Sequence, residues 1–536
     1  MKKTLALVLA LLLMLALGAP AMAAEGGEIT VCIGPQPETI DPALNSASDG
    51  SNYIKHLFEG LYKYDQNGNG VVLGAAESVE KSDDGMTWTF KLRKDGKWSD
   101  GKPLTAADFE YSFKRFVDPE TAAPYAADMG KFVLNGAEIV DGKKPVDEFG
   151  VKALDDNTLE VKMAGPCTFF EDIMAFPPYY PVRKDIIEAN PMGWSTDVAS
   201  LIGNGAYKVE SWTMDSEIVM VPSETYYDAA TLKNSKIIFK LIADPNAKLA
   251  AIRAKEIFWT DDCPTEEVEA TKAEGLFFIE PQLGTYYVNF NNEKAPLDNP
   301  LVRKALTLAL DTAHLSEVAA NRVYLPADNF VGGGFLEADG TTEFQAFAKV
   351  IDRSDYEANK KAAQEALAEA GYPNGEGLPT IEYCTNVSGV HQPTAEAMIA
   401  MWKEVLGVNV ELTTMDWGVF TAARRNGEHW MARDGWVADY SDPATLLNLF
   451  KGGSGNNTTF YKNDKVDELL NAVDASMDQA ERMKLMHEAE AIIFGEDYAA
   501  CPVYYYATFG LARPEIKGVT TYPTGEKLFH NAYIEG

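Results

Sequence analysis

The sequence predicts an α/β protein of more than one domain. Strand-like alternation dominates its first part, helix-period patterns surround a further strand in the later part, and the chain is longer than one hydrophobic core usually holds. The strand signals open at Thr30 to Ile33, continue where Trp88, Phe90 and Leu92 alternate with Thr89 and Lys91, and recur at Leu159, Val161 and Met163. Turns separate them: Asp84-Gly85, Asp95-Gly96 and Asp100-Gly101 are dipeptides in which glycine supplies a positive φ. A helix is predicted from Pro300, where Leu301, Ala305, Leu308 and Ala309 share one face after a helix-starting proline. A second runs from Asp355 to Ala370, closed by Gly371 and Pro373, and a third roughly from Asp464 to Phe494. Val408, Val410 and Leu412 alternate as a strand between them. The segment 326–342, PADNFVGGGFLEADGTT, is the most loop-like internal piece and a candidate flexible border.

The first 23 residues carry Lys2 and Lys3, an apolar run, and then Ala21, Met22 and Ala23 in the small-x-small pattern of a cleaved export signal. The apolar core from Leu5 to Leu17 is short for a membrane span, and no later stretch qualifies. Cys32 lies too far beyond the run to serve as a lipid-attachment cysteine. A soluble exported protein follows, periplasmic or secreted. About 510 residues remain, enough for two or three domains. The formal charge of −33 repels nucleic acid and anionic lipid and favours cationic small molecules at long range. Five scattered cysteines without a CxxC leave at least one unpaired and imply neither zinc nor a disulfide scaffold.

Enzyme motifs fail one by one. His487-Glu488 lacks the second histidine of a zinc-protease helix, and Ser454 in KGGSGNN lacks the closing glycine of a nucleophile elbow. Ser99-Asp-Gly-Lys102 matches S-x-x-K but contains a turn dipeptide and has no KTG partner. His56, His314, His391, His429, His487 and His530 never approach metal-ligand spacing, so no metal or cofactor is expected.

The stretch 416–443, DWGVFTAARRNGEHWMARDGWVADYSDP, combines both signs of charge with large flat side chains. Arg424, Arg433 and Asp439 stand among Trp417, Trp430, Trp436 and Tyr440. A free peptide needs this mixture: a carboxylate for its ammonium, a guanidinium for its carboxylate and aromatic walls for its side chains. A solvated surface loop is the competing reading.

A resemblance decides between them. LFEGLYKYD at 57–65 and AAESVEKSDDGMTWTFKLRKDGKWSDGKPLTAADFEYSFKR at 75–115 resemble the oligopeptide-binding receptors of bacterial peptide ABC transporters. The likeness continues through DPETAAPYA, NGAYKVESW, GTYYVNFNN, RKALTLALD, GVNVEL and CPVYYYA, nearly to the end of the chain. It implies a two-lobed, three-domain clamp that encloses an extended peptide between the lobes. Its division would be a main domain of lobe 1 over 24–58, 184–283 and 507–536, an accessory domain over 59–183 and lobe 2 over 284–506. The family holds the ligand backbone through main-chain hydrogen bonds and leaves side chains in hydrated pockets.

Carried over by position, the resemblance makes Asp439 of GWVADY the anchor of the ligand ammonium and Arg433 and Arg424 carboxylate receivers at different peptide lengths. His391 in SGVHQPTAEAM takes the carboxylate of a longer ligand. Trp417, Trp436, Tyr440 and Tyr125 are pocket aromatics, and of the tyrosine runs Tyr286, Tyr287, Tyr505 and Tyr506 are the candidates. About half of the run tyrosines should face ligand, since neighbours on a strand point opposite ways. Departures exist: Gly284 and Val437 replace a cysteine pair found in some relatives, Ser46 stands where some have an acidic residue, and the lysine that reaches the carboxylate of short ligands has no clear counterpart around Asn321 to Tyr324, where Arg322 is the candidate substitute. The reading is a receptor for short peptides, expected as a monomer, that serves the membrane permease of an ABC transporter. A receptor for dipeptides, nickel or another small solute is the alternative on the same fold, and an envelope peptide hydrolase is the rival of another class.

Overall fold

The computed structural model describes residues 27–536 apart from 69, 166, 168, 319–321, 389 and 477. The expected export signal at 1–23 lies outside the described residues. A single sheet of eleven strands spans the molecule. At one end lie Val410–Met415, Ile381–Asn386 and Met431–Val437; at the other lie Glu28–Cys32, Lys236–Lys240, Glu217–Pro222 and Tyr207–Thr213. Between them run two long antiparallel strands, Phe277–Phe290 and Ala500–Ala512. Their register shifts between the pairs Pro281–Ala507 and Thr285–Tyr505, so the same two strands pair with one set of neighbours before the shift and another after it. An irregularity of this kind in a ladder bends the strands that carry it.

A second sheet of four strands, Ala76–Lys81, Thr87–Leu92, Thr158–Lys162 and Val151–Asp155, packs on helix Ala106–Val117. Thr105 and Asp108 form a reciprocal capping box at that helix start, and its buried face (Phe109, Phe113, Phe116) joins Trp88 and Phe90 in one core with Ile29, Tyr53 and Phe239. Two further large cores follow, one around Tyr286, Leu306, Trp402 and Tyr504 that also takes in Leu249, Ile252 and Leu511, and one around Phe330, Phe450, Leu470 and Phe494.

The predicted helices at Pro300 and Asp355 are Pro300–Leu308 and Tyr356–Glu369, capped by the side chains of Asn299 and Asp355. The long helix expected over 464–494 is instead two, Asp464–Ala475 and Gln479–Glu490. Asp478 accepts from the backbone of Ala480 and Glu481 and so starts a new helix inside an unbroken apolar pattern. The loop 326–342 is no border: Phe330, Val331 and Phe335 are buried, and Phe330 stacks on Phe494 at 4.4 Å. Gly284 and Val437 stand directly opposite one another on neighbouring strands. All five cysteines carry free thiols.

Candidate functional site

The carboxyl ends of strands from both lobes open onto one cavity of about 820 Å³, as is general for ligand sites in open α/β sheets. From the first lobe come residues that follow strand Glu28–Cys32, the start of helix Ser48–Leu57, and Asp261 and Asp262 beyond strand Trp259–Thr260. From the second come Asn386 at a strand end, His391 and Trp417 at two helix starts, and Arg433 to Asp439 along a third strand and past it. Tyr125 and Phe176 reach in from the accessory layer.

Asp439 is held by three donors of neutral character. Tyr125 donates to Oδ1 at 3.1 Å, and Trp436 Nε1 and Thr445 Oγ1 donate to Oδ2 at 3.2 Å each. No cation pairs with it among the described residues. Burial pushes its carboxyl up to about 7, and these hydrogen bonds only partly offset the effect. The Tyr125 bond crosses from the accessory layer to the second lobe, and the Tyr125 and Trp436 rings meet at 5.9 Å.

Arg433 is the counterpart. It is 7 % exposed, donates from Nε to Asn386 Oδ1 at 2.7 Å, and lies 5.3 Å from the centres of the Trp417 and Phe420 rings. No carboxylate pairs with it among the described residues. Arg424 differs, because it is ion-paired with Asp434. Asp434 in turn accepts from Asn289 and Thr458 at 2.9 Å and from the Gly435 N–H at 2.8 Å. Burial and the adjacent Arg433 lower Arg424 to about 9, which leaves it cationic at neutral pH but already balanced by Asp434.

His391 lies 5.4 Å from the Tyr286 ring, and its Nδ1 has no partner among the described residues. Burial first and Arg433 second hold its pKa well below the usual range, so it enters the cavity as a neutral hydrogen-bonding group. Trp417 Nε1 is likewise an unused donor. Tyr506 completes the wall, and Gly435 leaves room for it: a side-chain carbon there would collide with the Tyr506 hydroxyl.

Tyr125, His391, Trp417, Arg424, Arg433, Trp436, Asp439 and Tyr506 thus converge, and four candidates do not. Tyr440 is buried and stacks on Phe169 at 4.4 Å and 3°. Tyr286 and Tyr287 are core residues, one behind His391 and the other against Phe330. Tyr505 points opposite to Tyr506, as strand alternation requires, and its hydroxyl accepts from the Asn329 N–H at 3.1 Å. Of the run tyrosines only Tyr506 lines the cavity, fewer than half. Arg322 is exposed and bonded to Glu317, away from the lining residues. Asn386, Tyr324 and the charged wall of the first lobe were not singled out in the sequence, where nothing distinguishes them from ordinary polar and core positions.

The lobes meet across the cavity mouth. Arg425 donates to Glu38 at 2.8 Å and to Ser46 at 2.5 Å, and Thr421 to Glu38 at 3.3 Å.

Comparisons place this architecture. The Escherichia coli (strain K12) "Periplasmic oligopeptide-binding protein OppA" is 35% identical over 506 residues, 94% of this chain and 91% of that one. The Haemophilus influenzae OppA complex with RPPGFSPFR superposes with a TM-score of 0.89 at 31% identity, covering 96% of this chain and 100% of that chain. The Escherichia coli murein tripeptide binding protein MppA gives 0.87 at 31% identity, over 96% and 99% of the two chains. MppA in its unliganded open form gives only 0.63 at 30% identity, over 96% and 98%. The lobes here therefore stand as in the peptide complex and not as in the open form. Such relatives are binding proteins rather than enzymes. Residues 70–458 match the model for "Bacterial extracellular solute-binding proteins, family 5 Middle", and the chain belongs to that family.

Proposed function

We propose that this protein captures short peptides between its lobes and delivers them to the permease of an ABC-type importer, without chemistry of its own. One observation carries the reading: a single cavity between the lobes holds a carboxylate without a cation, Asp439, and a buried guanidinium without a carboxylate, Arg433, among the described residues. Each is costly to bury alone, and the two ends of a zwitterionic peptide relieve both. Asp439 takes the ammonium, Arg433 the carboxylate, and His391 and Trp417 offer unused hydrogen-bonding atoms along the way. Arg424, already paired, acts as a support for Arg433 and a secondary stop. The alternative of a nickel receptor is less favoured, since the relatives named above are peptide-binding proteins. No helix among the described residues is long and apolar enough to cross a membrane. A monomer outside the cytoplasm fits this reading and the families of its relatives. The three-domain division over 24–58, 184–283 and 507–536, over 59–183 and over 284–506 is part of the proposal.

Incubating the purified protein with mixed peptides of two to six residues tests it by mass spectrometry. Intact peptides recovered after denaturing the washed protein support a receptor, and cleaved ones contradict it.

A further inference from the structure

The cavity holds a third charge that the two peptide ends leave unanswered. Asp49, in the first turn of helix Ser48–Leu57, lines the first-lobe wall. Its Oδ1 accepts from the Gly50 N–H at 2.8 Å, while its Oδ2 is buried without any partner among the described residues, beside Gly34, which lines the same wall. The helix start accounts for Oδ1 and leaves Oδ2 unexplained. The other carboxylates that line the cavity fall into two groups apart from Asp439. Four are matched to cations: Asp261 to Lys527 at 3.1 Å, Asp262 to Lys248 at 3.3 Å, Glu526 to Lys55 at 3.1 Å and Glu38 to Arg425 at 2.8 Å. Asp215 and Asp416 are exposed and need no partner beyond water. The cation that attracts Asp49, Lys527, is therefore spoken for: it is held by Asp261, which itself repels Asp49.

Resting on the peptide reading, we infer that Asp49 is a specificity residue that pairs with a cationic side chain of the ligand. The unanswered charges of the enclosed wall are then two carboxylates, Asp49 and Asp439, and one guanidinium, Arg433. Their complement is an ammonium, a carboxylate and one further cation, the pattern of a peptide bearing one lysine or arginine. The strongly acidic surface of the chain, formally −33, draws such cationic peptides toward the mouth.

The test is a series of tetrapeptides with lysine moved through each position, each compared with norleucine at the same position, titrated by calorimetry into the full mature chain. At one position lysine should bind about tenfold more tightly than norleucine. The preference should vanish in Asp49→Asn and in Asp49→Ser and persist in Asp215→Asn. Unchanged affinity for the norleucine peptide shows that the variants are folded. No lysine preference at any position, or a preference that survives both Asp49 substitutions, overturns the inference while leaving peptide binding intact. Failure of every peptide to bind wild type would instead overturn the reading beneath it.

Discussion

At the residue scale the site is defined by groups left incomplete. Asp439 has hydrogen bonds but no cation, and burial raises it to about 7. A ligand ammonium stabilises the charged form and pulls that value down again, so binding near neutrality releases a proton. Affinity should therefore fall by up to about tenfold per unit as pH drops below 7, and fall again above about 8 as the peptide amine deprotonates. Calorimetry in buffers of different ionisation enthalpy reads the released proton directly, and pH-independent binding from 5 to 7 contradicts the assignment. Asn386 fixes Arg433 through a 2.7 Å charge-assisted bond. Asn386→Ala should weaken binding by about 1.5–3 kcal/mol without a comparable loss of thermal stability, and equal affinity would make that bond incidental. Asp439 and Arg433 were legible in the sequence because GWVADY and its upstream arginine match a family pattern. The fate of Arg424 was not, since its partner Asp434 is one more acid in ARDGW until the strands are paired.

At the element scale the cavity is made by strand ends and helix starts, and each element's period decides who reaches it. The YYY run at 504–506 contributes only Tyr506, because Tyr504 on the same face is buried in the core against Tyr286 and Tyr324, while Tyr505 points to the opposite face toward Asn329. Strand positions were readable from alternation, but which face meets ligand depends on what covers the sheet, and no local pattern encodes that. Likewise the apolar pattern over 464–494 reads as one helix, while the break at Asp478 rests on a single capping side chain. The second helix ends at Glu490, whose Oε1 accepts from the Phe330 and Val331 N–H groups at 2.9 and 2.8 Å. Burial raises Glu490 to about 7 despite those donors. A carboxyl raised on folding costs stability progressively as pH rises from its unfolded value of about 4.3 through its folded one. Glu490→Gln keeps the acceptor and removes the charge, so it should stabilise the protein by about 1–2 kcal/mol at pH 8 and much less at pH 5. Thermal melts at the two pH values check this, and an equal or destabilising effect at pH 8 contradicts it.

At the scale of the whole molecule the same unpaired charges predict that the clamp opens when empty. In the closed arrangement Asp439 and Arg433 stand without counter-ions among the described residues, while Arg425, Glu38 and Ser46 bridge the mouth. Opening returns water to the charges, and a peptide makes closing favourable by replacing that water. Small-angle scattering should show wild type contracting when peptide is added. Asp439→Asn should lie nearer the closed dimensions without ligand, and a variant as open as wild type would remove Asp439 from that balance. The two-lobed α/β architecture was legible in sequence because its motifs run almost the length of the chain. The register shift in the two long central strands was not, since their paired residues lie more than 200 positions apart in the chain. On the proposed function this clamp closes on a peptide by its ends. Calorimetry of one tetrapeptide with a free and an acetylated amino terminus, against wild type and Asp439→Asn, tests it most directly. Acetylation should cost wild type about 3–5 kcal/mol and cost Asp439→Asn far less. Equal affinity of wild type for the two peptides would contradict it.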